Sequence, residues 1–320
     1  MYITRKIYWP ILALLDVVGS IIFFWKKFKR PPKTIKKVLF IRLEHIGDMI
    51  MSTPSFETWK INYPDCKVHV LCKTVSKPVI ETNPNVDKII TYDPSWMIRR
   101  ENDSKNSFWK VARELKKENY DIVFEMHGDP RNNLLAFMTG SYIVGYGCRG
   151  AGFLLNRTEK YNKDIHSIKR NLELIKPYCK KITEKMRIYT DKDSIRRCKA
   201  IMKKYGLLKN KFIIINPRSG RREKNLEPDE INAFMKKYKN YKILISGSMS
   251  EREYNNQFVK GEEKNIINIS GKTDLLTLTE IVKNATLVIA PDTGIVHIAK
   301  AVGTKCETVY KTTDKKVWGY

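Results

Sequence analysis

Asp292, Thr293 and Gly294, with His297 three residues further on, sit in the run Val288 to Thr304 (VIAPDTGIVHIAKAVGT) and form a set that can hold an anion. An apolar, β-branched run leads into Pro291, and helical spacing from Ile295 to Val302 stops at Gly303. A strand that turns tightly into a helix leaves the first-turn N–H groups unpaired. The positive end of the helix dipole falls at the same place. There Asp292 can cap the turn, Thr293 offers a hydroxyl, and Gly294 lets a ligand reach the backbone. His297 falls one turn inside. The same residues equally suit an N-capped helix with a satisfied histidine.

A second set offers acid–base chemistry. Asp48 follows Gly47 after the apolar run Lys37 to Leu43, so a carboxylate stands on a glycine-flexed loop at a strand end. Placed there it can take a proton from an attacking hydroxyl, an assistance worth roughly 10² to 10⁴ in rate. The plainer alternative is a helix cap. Asp129 admits the same two readings, with Arg131 pairing to it or to an acceptor phosphate. The loop Pro217 to Lys224 brings Ser219, Gly220, Arg218, Arg221, Arg222 and Lys224 together and suits a diphosphate. Glu251, opening the helix Ser250–Lys260, can accept ribose hydroxyls.

Three further motifs carry less. Gly145 to Gly150 matches G-x-G-x-x-G, but no convincing helix follows. Asp191-Lys192-Asp193 spells D-x-D at a helix start, where capping explains it better than a metal. Ser270-Gly271-Lys272-Thr273 resembles the end of a P-loop, with Ile266 standing where the first glycine is required.

The elements that must position these residues alternate along the chain. Strands at Lys37–Leu43, Lys67–Cys72, Lys88–Tyr92 and Tyr120–Glu125 are separated by helical stretches, including Met49–Asn62 and Ser107–Asn119. Strands at Lys211–Asn216, Tyr241–Ser246, Ile266–Ile269 and Leu287–Ala290 follow, with helices Asp229–Lys239, Ser250–Lys260 and Leu275–Asn284 among them. Helices His166–Pro177 and Asp191–Tyr205 are expected to cross between domains. Such alternation predicts an α/β fold with parallel, doubly wound sheets, and ligands beyond the carboxyl ends of the strands.

With 320 residues the chain is long enough for two cores, and 42% hydrophobic content describes a globular protein. The formal charge of +26 points to a phosphate-rich partner: nucleic acid, an anionic membrane, or a phosphorylated glycan or nucleotide. A lysine-rich, inert surface is the bland alternative. The basic residues are dispersed, and no basic-aromatic RNA motif or zinc finger interrupts them, which disfavours a nucleic-acid-binding protein. The six cysteines lack ligand spacing, which argues for reduced thiols and no metal site.

Ile7 to Trp25 is apolar apart from Pro10, Asp16, Gly19 and Ser20, and Lys26-Lys27-Phe28-Lys29-Arg30 follows. As a helix it would run about 28 Å against a hydrocarbon core of about 30 Å. A central aspartate costs roughly 3 kcal/mol in a span and offsets most of the apolar gain. Asp16 and Ser20 share a narrow face, which favours a monotopic anchor lying in the interface of an anionic membrane. Positive-inside bias would leave the following domain in the cytoplasm. The expected divisions are an anchoring segment and linker over residues 1–33, a first domain over 34–190 and a second over 191–320.

Two ordered strings then converge on one family. Ile41-Arg42-Leu43-x-x-Ile46-Gly47-Asp48-x-x-x-x-Thr53-Pro54 and Asp292-Thr293-Gly294-x-x-His297-x-Ala299-x-Ala301-x-Gly303-Thr304 resemble the two signatures of glycosyltransferase family 9. Its members are the ADP-heptose:lipopolysaccharide heptosyltransferases and relatives. The resemblance runs from Lys37 to Tyr320 and takes in Tyr120-Asp121-x-Val123, Gly128-Asp129 and Trp318-Gly319. It implies a GT-B architecture, two Rossmann-like domains facing across a cleft, and inverting, metal-independent sugar transfer. No resident cofactor is implied. The co-substrate would be a nucleotide sugar, ADP-heptose, and the acceptor a lipopolysaccharide core or similar lipid-linked glycan at a membrane surface. Asp48 matches the family's base and Lys224 its donor-phosphate lysine. Glu251 matches its ribose ligand, and Asp292, Thr293, Gly294 and His297 match its nucleotide-sugar motif. Arg218, Leu226, Pro291, Lys305 and Tyr310-Lys311 depart from the pattern. Those departures motivate an alternative, a non-catalytic sugar-binding or scaffold member.

Overall fold

The computed structural model describes residues 7, 9–94, 107–259 and 265–319. Its contacts divide the chain into two compact units. One holds the residues up to Lys77 and Asn83–Glu184, the other Pro78–Thr82 and Lys185–Tyr320. The stretch at 179–191 that joins them is irregular, so the flanking helices do not cross. The helix Ser167–Ile175 lies in the first unit and Lys192–Tyr205 in the second.

The first unit is built on a parallel six-stranded sheet. Its strands are β1 (Lys37–Arg42), β2 (Lys67–Cys72), β3 (Lys88–Thr91), β4 (Ile122–Glu125), β5 (Tyr142–Tyr146) and β6 (Arg157–Glu159), in the order β3-β2-β1-β4-β5-β6. The apolar run of β1 becomes a central strand because helices cover both faces. Phe40 pairs across to Val70 and Phe124, and its ring stacks on Phe124 and meets Phe56 and Trp59 edge-on. Each such side chain, fully buried, stabilises by about 2–3 kcal/mol.

The second unit repeats the plan with five parallel strands. These are β7 (Phe212–Ile215), β8 (Lys242–Ile245), β9 (Ile266–Asn268), β10 (Leu287–Pro291) and β11 (Lys305–Val309), in the order β11-β10-β7-β8-β9. Ile213, Ile215, Ile243, Ile245 and Ile289 form its core with Leu226 and Ile231.

Several helices differ from expectation. Met49–Asn62 is two helices, Ile46–Ile50 and Thr53–Asn62. Pro54 has no N–H to continue the first ladder and instead opens the second helix. Ser250–Lys260 is a short α-helix, Arg252–Asn256, between single 3₁₀ turns, and the expected end at Lys260 lies outside the described residues. Among the described residues the N-terminal helix is Trp9–Ile22, followed by a 3₁₀ turn, Phe24–Phe28. Among the described residues no helix is long and apolar enough to cross a membrane.

Candidate active site

In each sheet the first strand in chain order lies between strands that run out to opposite sides. Loops leaving β1 and β4, and those leaving β7 and β10, therefore part in opposite directions and open a crevice at the carboxyl edge. Asp48, Asp129, Arg131, Ser219, Lys224 and the run from Asp292 to His297 follow these strands, whereas Glu251 follows β8.

At the first crevice Arg42 ends β1, 4% exposed. Its guanidinium donates to the Met126 carbonyl at 2.7 Å and pairs with Glu44 at 3.2 Å and Asp48 at 3.3 Å. A buried guanidinium must spend its donors on acceptors, so Arg42 ties the β1 loop to the β4 loop. Asp48 stands in the first turn of Ile46–Ile50, and its Oδ2 accepts from the His45 N–H at 3.3 Å, one half of a capping box. The capping and catalytic readings are thus compatible. One oxygen caps, the other faces Arg42, and the side chain stays 17% exposed.

The β4 loop supplies the other wall. Glu125, fully buried, accepts from the N–H groups of His127 (3.1 Å) and Gly128 (2.5 Å) and from Asn132 Nδ2 (3.1 Å). Burial first, and then the nearby Glu44, push its carboxyl up to about 8 against those three donors. Glu44 is likewise raised by burial, although Arg42 pulls the other way. His127 is driven down to about 3 by burial, with Arg149 and Arg42 adding to the effect. Arg149 donates to His127 Nε2. His127 Nδ1 lies 3.7 Å from Glu44 Oε1. The site thus holds the Arg42 guanidinium among Glu44, Asp48 and Glu125, with the His127 imidazole and the Arg149 guanidinium beside them.

Asp129 and Arg131 engage each other. Asp129 caps Pro130–Met138 through the Arg131 N–H at 2.9 Å and takes a bidentate pair from the Arg131 guanidinium at 2.9 and 2.7 Å. Of the two pairings open to Arg131, the structure makes the internal one. Its side chain remains 48% exposed at the loop.

At the second crevice the expected cap moves by one residue. β10 runs through Pro291, so Thr293 is the N-cap of Gly294–Val302, without a side-chain cap bond. Asp292 is committed elsewhere. Its Oδ2 accepts from Lys224 Nζ at 2.9 Å, its carbonyl from the same ammonium at 3.3 Å, and its Oδ1 lies 3.9 Å from His297 Nε2. Lysine has three protons, so this clamp leaves one for a ligand at the helix N-terminus. The preceding loop is self-braced. Ser219 accepts from the Arg221 N–H at 3.1 Å and donates its own N–H to Asn225 at 2.9 Å, while Arg218 lies over the Tyr254 ring at 4.4 Å. Glu251 accepts from the Ser248 N–H at 2.7 Å as the partner in a capping box. Asp191 caps its helix through Ser194, as read from sequence. Gly145 lies inside β5 and only a 3₁₀ turn, Gly152–Leu154, follows the glycine loop. Among the described residues no group of three or more His, Cys, Asp or Glu side chains gathers to hold a metal.

Residues 108–320 match the family model described as glycosyltransferase family 9 (heptosyltransferase). The chain belongs to glycosyltransferase family 9. This family 9 enzyme is 24% identical over 295 residues to lipopolysaccharide heptosyltransferase 3 of Escherichia coli strain K12, covering 86% of this chain and 83% of that protein. The family 9 glycosyltransferase of Veillonella parvula superimposes with a TM-score of 0.77 at 20% identity, covering 89% of this chain and 83% of that one. The ADP-heptose lps heptosyltransferase II of E. coli gives 0.72 at 17% identity, over 88% and 87%. Those likenesses establish the two-sheet GT-B fold.

Some of this family 9 site was missed in sequence. Arg42, Glu44, Glu125 and Arg149 carry its electrostatics, yet none was singled out. One signal was present. Arg42 and Glu125 are charged residues at the ends of otherwise apolar strands, where burial demands partners. Arg149 had no such signal, because a glycine-rich loop does not disclose which strand end it returns to.

Proposed function

We propose that this glycosyltransferase transfers heptose from ADP-heptose to a lipid-linked glycan of the lipopolysaccharide core type. The relatives support that donor and acceptor, being named for lipopolysaccharide and, in one case, for ADP-heptose. The observation that carries the reading is the clamp of Lys224 on Asp292 at the start of Gly294–Val302. An ammonium fixed beside unpaired helix N–H groups suits a diphosphate leaving group.

In this reading Asp48 accepts the proton of the acceptor hydroxyl as its oxygen attacks the anomeric carbon from the face opposite the diphosphate. The carbon–oxygen bond to the phosphate breaks, the configuration inverts, and ADP carries away the electron pair. Lys224 and the helix dipole offset the charge it gains, which is why the step needs no bound cation. We assign Asp129 and Arg131 to the acceptor and Ser219 to the diphosphate on their chemistry, and Glu251 to the ribose, as the family resemblance implies. The basic residues after the apolar N-terminus support a place on the cytoplasmic face of the inner membrane.

Thermal melts against a panel of nucleotide sugars test the donor. A ligand at a hundred times its dissociation constant stabilises by about 2.7 kcal/mol, and ADP-heptose should do so where UDP- and GDP-sugars do not. Asp48→Ala should keep that stabilisation while turnover falls by about 10² or more. Wild-type turnover from this variant would remove Asp48 from the mechanism.

A further inference from the structure

The N-terminal segment is turned the wrong way round for water. Its seat on the first unit is a stripe at Trp9, Leu12, Asp16, Gly19, Phe23 and Lys26, spaced three and four residues apart like a helix seam. That stripe holds the segment's aspartate, its glycine and a buried lysine. Asp16 shares a narrow face with Ser20, as expected, and its Oδ1 accepts from the Ala151 N–H at 2.8 Å. Gly19 closes onto Phe153, whose ring an added Cβ would meet at 2.6 Å. Phe23 packs on Phe153 and Phe137, and the Lys26 carbonyl accepts from Asn156 at 2.9 Å. Lys27 Nζ donates to the Leu155 carbonyl at 3.1 Å and to Thr158 at 3.0 Å. The side turned outward is apolar: Ile11, Leu14, Val17, Ile21, Phe24 and Phe28 are 59% to 77% exposed.

A helix seated from water would bury those side chains and expose Asp16. Apolar surface of this extent on one side marks a contact with something other than solvent. Its length and charge choose the occupant. At 14 residues the helix is about 21 Å long, short of a hydrocarbon core of about 30 Å, so it offers a face and not a span. Lys29, Arg30, Lys33 and Lys36 follow it, all exposed. A formal charge of +26 opposes a second copy of the chain and draws an anionic surface.

We propose that the outward face of Trp9–Phe28 lies in the headgroup region of an anionic bilayer while its inner stripe stays docked, so the bilayer braces the glycine loop that carries Arg149. The line of contact is short. A Cβ added at Gly150 would meet Leu12 Cδ2 at 3.0 Å, Asp16 accepts from the Ala151 N–H, and Arg149, the residue before them in the loop, donates to His127. The segment is a fixed foot and not a flexible tether. This deepens the proposed transfer reaction by naming where a lipid-linked acceptor is met, and it can fail alone, because vesicle binding needs no turnover.

The test uses the full chain with vesicles of phosphatidylglycerol and phosphatidylcholine, against phosphatidylcholine alone. Sedimentation should show binding to the anionic vesicles, at least about tenfold weaker for Leu14→Asp/Ile21→Asp, with the melting temperature of that variant unchanged. Hydrogen exchange over residues 147–156 should slow when wild type binds. Gly19→Leu, which cannot seat against Phe153, should still bind vesicles and lose that slowing. Four results would overturn the proposal: no preference for anionic vesicles, indifference to the double substitution, a lipid-free dimer that the double substitution dissociates, or the same loop protection in Gly19→Leu.

Discussion

Arg42 is the side chain on which the first crevice turns. It holds Asp48 and Glu44 from one loop and the Met126 carbonyl from the next. Arg42→Met would take the guanidinium from two half-buried carboxylates, Glu44 and Asp48, a loss of roughly 1–3 kcal/mol that urea unfolding would register. Arg42→Lys keeps the charge but not the fork. We expect it to fold, to bind donor with an unchanged KM, and to lose kcat because Asp48 is no longer aimed. A KM change without a kcat change would contradict that positioning role. Glu125 gives a prediction in pH. Folded, it keeps its proton up to about 8, whereas the unfolded chain releases it near 4.5. Its contribution to stability is therefore present below the lower value and is lost as pH rises to the upper one, by up to about 1.4 kcal/mol per unit. Glu125→Gln should flatten the pH dependence of unfolding free energy across that window, and an unaltered slope would mean that the carboxyl titrates normally.

At the scale of elements, Gly128 shows how a turn sets the site. Its φ is +80°, and an added Cβ would come within 2.9 Å of Tyr146 Cβ and 2.8 Å of Cys148 Sγ. Gly128→Ala should cost roughly 2 kcal/mol or more from left-handed strain and crowding, read by thermal melts. It should also disturb the N–H that Glu125 accepts. The strands were the more readable part of this chain, although β5, β6 and β11 were not among those expected. β2 is found at the residues expected, and β1 ends one residue early, because apolar β-branched runs have few alternatives to a buried strand. Helix ends were less legible. The break at Met51–Ser52 came from Pro54, whose missing N–H is visible in sequence but whose effect depends on which neighbour can take the turn. Asp292 was recognised as a site residue, but the cap expected of it falls to Thr293. Spacing alone could not show that β10 continues through Pro291 and delivers the carboxylate to Lys224 from 68 residues away. Arg149, Glu44 and Glu125 acquire their roles from strand order, which no local pattern spells out.

For the molecule as a whole, charge is the property that reaches furthest. A formal +26 raises the local concentration of anionic ligands around both units. Stopped-flow capture of ADP should slow as salt is added, since the Debye length is only about 8 Å at physiological ionic strength. A salt-independent rate would mean that the lysines are spread too evenly to steer. The docked N-terminal helix has a consequence for the order in which the chain is made. Asp16 and the Ala151 N–H that donates to it are 135 residues apart. At ordinary rates of synthesis the helix leaves the ribosome roughly ten seconds before its seat exists. During that interval the nearest surface able to shelter its greasy side is lipid, so the nascent chain should settle on the bilayer first and the first sheet should assemble upon it.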